Sequence, residues 1–152
     1  MKETIKFDKK TTILFLGDNL YTTGLPDEQS PEYDERRSVL DTQIAIANGT
    51  DAKVYFIPGN HDWDNGHAVG WDAIIRQQQY VDAKGGENVK FYPEDGCGGP
   101  VEVQLSDDAV LVIFDSQWWV HPYDKPGVES DCPYKTKLEV LSQIDDILSK
   151  NF

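Results

Sequence analysis

Two short segments of this chain carry side chains able to bind cations and move protons. The first reads Gly17-Asp18-Asn19-Leu20-Tyr21, the second Gly59-Asn60-His61-Asp62-Trp63-Asp64. Asp18 offers a carboxylate whose two oxygens can bridge two cations. Asn60 offers a neutral carbonyl oxygen, which binds a hard or borderline divalent ion without adding charge. His61 can ligate a metal or pass a proton to a leaving oxygen. Asp62, Trp63 and Asp64 are placed to shape the loop around such a site, and Asn19 sits beside the leading carboxylate as a further supporting or substrate-contacting group. Each segment opens on a glycine, which lets the backbone turn sharply and approach a site with no Cβ in the way.

Both segments follow apolar runs of strand length. Thr11 to Leu16 is rich in β-branched and apolar residues and stops at Gly17, and Lys53 to Ile57 is a second such run ending at Pro58-Gly59. Between them, Leu40, Ile44 and Ala47 recur at i, i+4, i+7, which predicts a helix over about 34–47 closed by Asn48-Gly49. Trp71, Ile74, Ile75 and Val81 predict a second helix, closed by Gly85-Gly86. Three shorter strand-like runs follow, Val89 to Tyr92, Val101 to Leu105 and Val110 to Phe114, with the Asp107-Asp108 turn between the last two. Thr136-Lys-Leu-Glu139 has the form of a capping box opening a last helix, with Leu138, Leu141, Ile144 and Leu148 as its expected buried stripe. The succession predicts an α/β layered domain, βαβ units with a sheet flanked by helices. In such sheets ligands bind outside the carboxyl ends of the strands, so the two loops converge on one site.

Leu16-Gly17-Asp18-Asn19-Leu20-Tyr21, continued by Thr23-Gly24, resembles the Gly-Asp-x-x-Tyr motif of purple acid phosphatases. Gly59-Asn60-His61-Asp62 resembles the Gly-Asn-His-Asp/Glu motif of the wider calcineurin-like metallophosphoesterase superfamily, and Val110 to Ser116 is similar to its later strand ending in Asp-Ser. The resemblance implies a phosphate ester as small-molecule substrate, hydrolysed at a centre of two metal ions drawn from iron, zinc and manganese. It implies that Asp18 bridges both ions, Tyr21 binds the first as phenolate and Asn60 binds the second. His61 would contact the phosphoryl group and assist the leaving oxygen. Two cations about 3.5–4 Å apart suit this chemistry, because they deprotonate a bound water and clamp the phosphoryl oxygens. A tyrosine phenolate calls for a strongly Lewis-acidic ion, since free tyrosine titrates near pH ~10.

The superfamily pattern has further motifs at both ends: an Asp-bearing strand ahead of the first motif, and a single-histidine and a Gly-His-x-His motif after the last helix. None is found in residues 1–152, so the expectation is a partial domain, the central portion of a metallophosphoesterase, with an incomplete metal centre. The alternative reading is a catalytically inert fragment or degenerate domain with a binding or structural role. His67 and His121 read as loop residues rather than ligands, Asp115 as a strand-end residue orienting a loop, and Trp118 and Trp119 as buried or interface aromatics.

Composition bounds the partners. Lys+Arg number 14 against 27 Asp+Glu, a net charge of −13, which argues against a nucleic-acid footprint and against a polybasic membrane surface. No apolar run reaches the length of a membrane span, and Met1 to Thr4 leads into charge rather than an apolar signal core. Resemblance to exported or surface-attached phosphatases leaves the compartment open. Oligomeric state cannot be read, and Cys97 and Cys132 could be bridged or free. A calcium-binding reading of the acidic excess lacks an Asp-x-Asp-x-Asp-Gly loop.

Overall fold

A computed structural model describes residues 7–151. Residues 1–6, which include the Met1–Thr4 stretch considered for export, and Phe152 lie outside the described residues. Three parallel strands, β1 (Thr12–Leu16), β2 (Lys53–Ile57) and β3 (Val89–Phe91), form a sheet in the order β1-β2-β3. Helix α1 (Tyr33–Asn48) connects the first pair and α2 (Gly70–Lys84) the second, so each crossover is a βαβ unit. β4 (Val101–Ser106) and β5 (Ala109–Ile113) form a separate antiparallel hairpin. A short helix α3 (Ser116–Val120) and the long α4 (Lys137–Asn151) complete the chain. This is the expected α/β layered architecture.

Burial explains the sheet order. β2 lies in the middle, with Val54, Tyr55 and Phe56 all buried, as a central parallel strand requires. Among the described residues β1 is paired on one side only, and it is half-buried over most of its length. Its Phe15 stacks on Phe56, paired with it in register, with ring centroids 4.4 Å apart. Register pairs Leu16 with Ile57, so both strands end level and their loops leave the sheet side by side. Leu40, Ile44 and Ala47 of α1 are buried against this sheet layer, together with Ile74 and Val81 of α2.

The capping box at the start of α4 is present in both directions. Glu139 N–H donates to Thr136 Oγ1 at 3.2 Å, and Thr136 N–H donates to Glu139 Oε2 at 2.9 Å. The buried stripe of that helix differs from expectation. Leu138, Leu141 and Leu148 are exposed, whereas Val140 and Ile147 are buried and Ile144 packs on the core. Two apolar stripes run along α4 about a quarter turn apart and share Ile144, and at 100° per residue periodicity supports either. Cys97 and Cys132 are joined in a disulfide, which ties the loop after β3 to the loop before α4. Among the described residues no helix is long and apolar enough to cross a membrane.

Candidate metal and phosphoryl site

The two motif loops meet where β1 and β2 end. Gly17 takes a left-handed φ of 89°, and a Cβ there would stand 2.9 Å from the Cα of Gly59. A Cβ on Gly59 would in turn overlap Asp18 Oδ1 and the Asp18 backbone nitrogen. Each glycine is therefore required by the other loop, and the motifs interlock backbone to backbone.

Asp62 holds the interlock from below. It is fully buried and accepts five hydrogen bonds: from Gly59 N–H at 2.8 Å, Asn19 N–H at 3.1 Å, Asn19 Nδ2 at 3.2 Å, Leu20 N–H at 3.2 Å and Gln77 Nε2 at 3.0 Å. Burial pushes its carboxyl above the usual range, and the donors from Gly59, Gln77, Asn19 and Leu20 pull against that push. Asn19, also buried, donates through Nδ2 to Ile57 O at 2.9 Å, and its own carbonyl accepts from Gln43 Nε2 at 3.1 Å. Both residues are thus committed to the scaffold. Gln77 completes the hub from α2; it lies three residues after Ile74 and four before Val81, so a polar residue on the buried stripe was the sequence signal for it.

Trp63 is the second anchor. Its indole Nε1–H donates to Asp115 Oδ2 at 2.6 Å, across 52 residues. The other oxygen of Asp115 accepts from Gln117 N–H and Trp118 N–H and caps α3. Asp115 is 1 % exposed, and burial, with a smaller push from the Asp62 charge, raises its pKa to about 7. The Asp-Ser strand end therefore orients the second motif, as a loop-orienting role for Asp115 requires. His121 is buried with its ring 4.8 Å from that of Trp63, and neither ring nitrogen has a hydrogen-bond partner among the described residues. Asp64 turns the other way, its Oδ2 3.6 Å from Nδ1 of the exposed His67. Among the described residues no hydrogen bond ties its side chain to the first motif.

The upper face of the site is more open. Asp18 Oδ1 accepts from His61 N–H at 3.1 Å, and Oδ2 accepts from the Tyr21 hydroxyl at 3.2 Å. Tyr21 is exposed, and its ring lies 4.1 Å from that of His61. The hydrogen bond to Asp18, then its charge, raises the Tyr21 pKa, so without a cation between them the phenol keeps its proton. Asn60 is exposed and donates through Nδ2 to Asn65 Oδ1 at 3.2 Å, which leaves its own carbonyl oxygen available. His61 Nδ1 lies 2.6 Å from Thr22 O. A carbonyl only accepts, so the proton sits on Nδ1 and Nε2 is left for a ligand or a second proton. Thr22, whose carbonyl sets this tautomer, has no signature in the sequence.

Asp18, Tyr21, Asn60 and His61 are thus brought to one face, with Asp62, Asn19 and Trp63 beneath. As a metal site the set is short of donors. Among the described residues no group of three or more His, Cys, Asp or Glu side chains converges to hold an ion. The oxygens of Asp18, Tyr21 and Asn60 and Nε2 of His61 are donor types suited to a cation, and in number they fall short of what a centre of two needs.

A family model described as calcineurin-like phosphoesterase matches residues 1–143. No curated protein and no solved structure matches the chain. The matched span takes in the interlocked Gly-Asp and Gly-Asn-His-Asp loops and the strand ending at Asp115, and the chain belongs to the calcineurin-like phosphoesterase family.

Proposed function

We propose that residues 1–152 form the scaffold-bearing portion of a metallophosphoesterase domain that by itself does not hydrolyse phosphate esters and serves in a binding or structural role. The observation that carries this reading is the donor count. The described residues bring one carboxylate, one phenol, one amide carbonyl and one imidazole to the candidate metal face, with no cluster of three His, Cys, Asp or Glu groups. A nucleophilic water needs two cations or one strongly held cation, and either needs more anionic or imidazole donors than these. In this reading a dinuclear site needs more donors than the described residues bring together.

A second reading, phosphate ester hydrolysis by the completed site, is favoured by the dense hydrogen bonding that holds the two motif loops together. In that reading Asp18, Tyr21 and Asn60 hold iron, zinc or manganese, and a tyrosine ligand allies the site with the purple acid phosphatase branch. His61, with Nδ1–H fixed on Thr22 O, presents Nε2 to hold a proton for the leaving oxygen. Asp62 and Trp63 hold the loop, and Asp64 stands at its rim.

One assay separates the two. The chain is incubated with an aryl phosphate and manganese, zinc or ferric iron, and metal content is measured after dialysis. The expected result is no turnover above the free metal and at most one weakly retained ion. Robust hydrolysis that disappears in Asp18→Asn, or two tightly held ions, would overturn the non-hydrolysing reading and establish the second.

A further inference from the structure

Away from the motif loops, α1, α2 and the loop before α1 line an open-sided cavity of about 490 Å³. None of its lining residues belongs to the candidate metal face. Tyr33 and Arg37 come from α1, Arg76, Tyr80 and Lys84 from α2, and Glu28 from the preceding loop. In a chain with 14 Lys+Arg against 27 Asp+Glu, this is an unusual gathering of cations.

The three cations differ in what they are already doing. Arg37 is spoken for, with Nε 2.8 Å from Asp34 and Nη1 3.5 Å from Asp41. Arg76 and Lys84 make no salt bridge among the described residues. Arg76 is nonetheless oriented, because its Nε–H donates to Leu25 O at 2.8 Å. That bond uses the inner nitrogen of the guanidinium and leaves the terminal pair, the half of the fork that takes a phosphate or carboxylate in bidentate fashion. Lys84 Nζ stands 6.0 Å from the centroid of the Tyr80 ring, and the Tyr80 hydroxyl is itself fixed by donation to Asp41 Oδ1 at 2.5 Å. The cavity thus combines an oriented, unpaired guanidinium, an unpaired ammonium, two tyrosine rings and one carboxylate.

We propose that this cavity binds a small aromatic anion of the nucleoside-monophosphate class. Arg76 and Lys84 take the anionic group, the rings of Tyr33 and Tyr80 contact the planar base, and Glu28 accepts from a hydroxyl or amino group. Three features select this class. The volume lies in the range of small-molecule sites. Aromatic rings beside an oriented guanidinium favour a ligand with a flat face over a bare ion. The strongly negative field of the rest of the molecule repels anions, so an anion is held only where unpaired cations are preorganised. The proposal is independent of the metal face.

The test is isothermal titration of the metal-free full chain, with chelator present, using adenosine monophosphate, adenosine and inorganic phosphate separately. Saturable binding of the monophosphate is expected, with adenosine and phosphate each weaker by about tenfold or more, since each keeps only part of the contacts. Arg76→Gln is expected to weaken monophosphate binding by about tenfold, and Arg76→Lys to recover only part of the loss because the fork is gone. Lys84→Gln, a substitution at an unpaired surface cation, supplies an independent variant with an expected loss of about threefold to tenfold. Absence of saturable binding would overturn the proposal. So would unchanged affinity in Lys84→Gln together with Arg76→Gln, or phosphate alone binding as tightly as the monophosphate.

Discussion

Asp18 and Asp62 face each other across the same loop crossing, and they are opposite kinds of aspartate. Asp62 is sealed from solvent and saturated by five donors drawn from the first motif, the second motif and α2. Asp18 accepts two hydrogen bonds, one of them from an exposed tyrosine, and sits at a left-handed φ of 51°. The first ties the two loops together, and the second lies on the more open face. Among the described residues the loop crossing is densely hydrogen-bonded, while the candidate donor face is sparse.

Breaking the hub tests this most severely. Asp62→Ala leaves five N–H groups without their acceptor in a buried place and is expected to cost about 3–5 kcal/mol in urea unfolding. Asp18→Asn, in which asparagine tolerates the left-handed backbone, is expected to cost less than about 1 kcal/mol. Equal losses in the two variants would erase the contrast.

Next in size is the tether of the C-terminal half. The Cys97–Cys132 bridge closes a loop of 35 residues, and replacing both cysteines with alanine is expected to cost about 3–4 kcal/mol through loop-closure entropy. Hydrogen exchange should show the loss in α4 and the β4–β5 hairpin while amides of the crossing stay protected. Equal deprotection of both regions would refute a separate framework.

Asp115 supplies a pH-dependent version of the test. Its folded pKa of about 7 lies above the ordinary 3.8, so the folded chain keeps this proton over a range where the unfolded chain has lost it. Stability from this group therefore falls as pH rises from about 4 to about 7 and is level above that. Asp115→Asn keeps an acceptor for Trp63 and removes the titration. Its urea midpoint should fall less than the parent's over that range, and parallel profiles would contradict the assignment.

The smallest expected effect is on the donor face itself. The Tyr21 phenol is held above its ordinary pKa first by the hydrogen bond to Asp18, then by its charge. Asp18→Asn should move the Tyr21 transition, followed by NMR of the ring carbon bearing the hydroxyl, to lower pH. No movement would show that the two groups are not coupled in solution.

Much of this was legible along the chain. Thr12–Leu16 and Lys53–Ile57 were marked by β-branched runs ending at glycine, α1 by Leu40, Ile44 and Ala47, and the start of α4 by Thr136 and Glu139. These are local signals, set by backbone preference and by contacts within four residues. The face of α4 that is buried was not legible. Val140–Ile147 and Leu141–Leu148 offer stripes of equal period, and only the surface against which the helix packs distinguishes them. The bridge between Cys97 and Cys132 likewise depends on two loops meeting across 35 residues.

For the site, the residue types alone determined which groups can bind a cation or carry a proton, and the glycine-led spacing after two strands determined that Asp18, Tyr21, Asn60 and His61 share one end of a sheet. The tertiary structure decided how each is used. It buried Asp62 among five donors, hung Trp63 on Asp115, set the His61 proton through the Thr22 carbonyl and turned Asp64 toward His67. It also left the α1–α2 cavity with Arg76 and Lys84 unpaired among the described residues. A side chain's chemistry belongs to its atoms. Its proton, its partners and its access to solvent belong to groups tens of residues away, and folding alone brings them within reach.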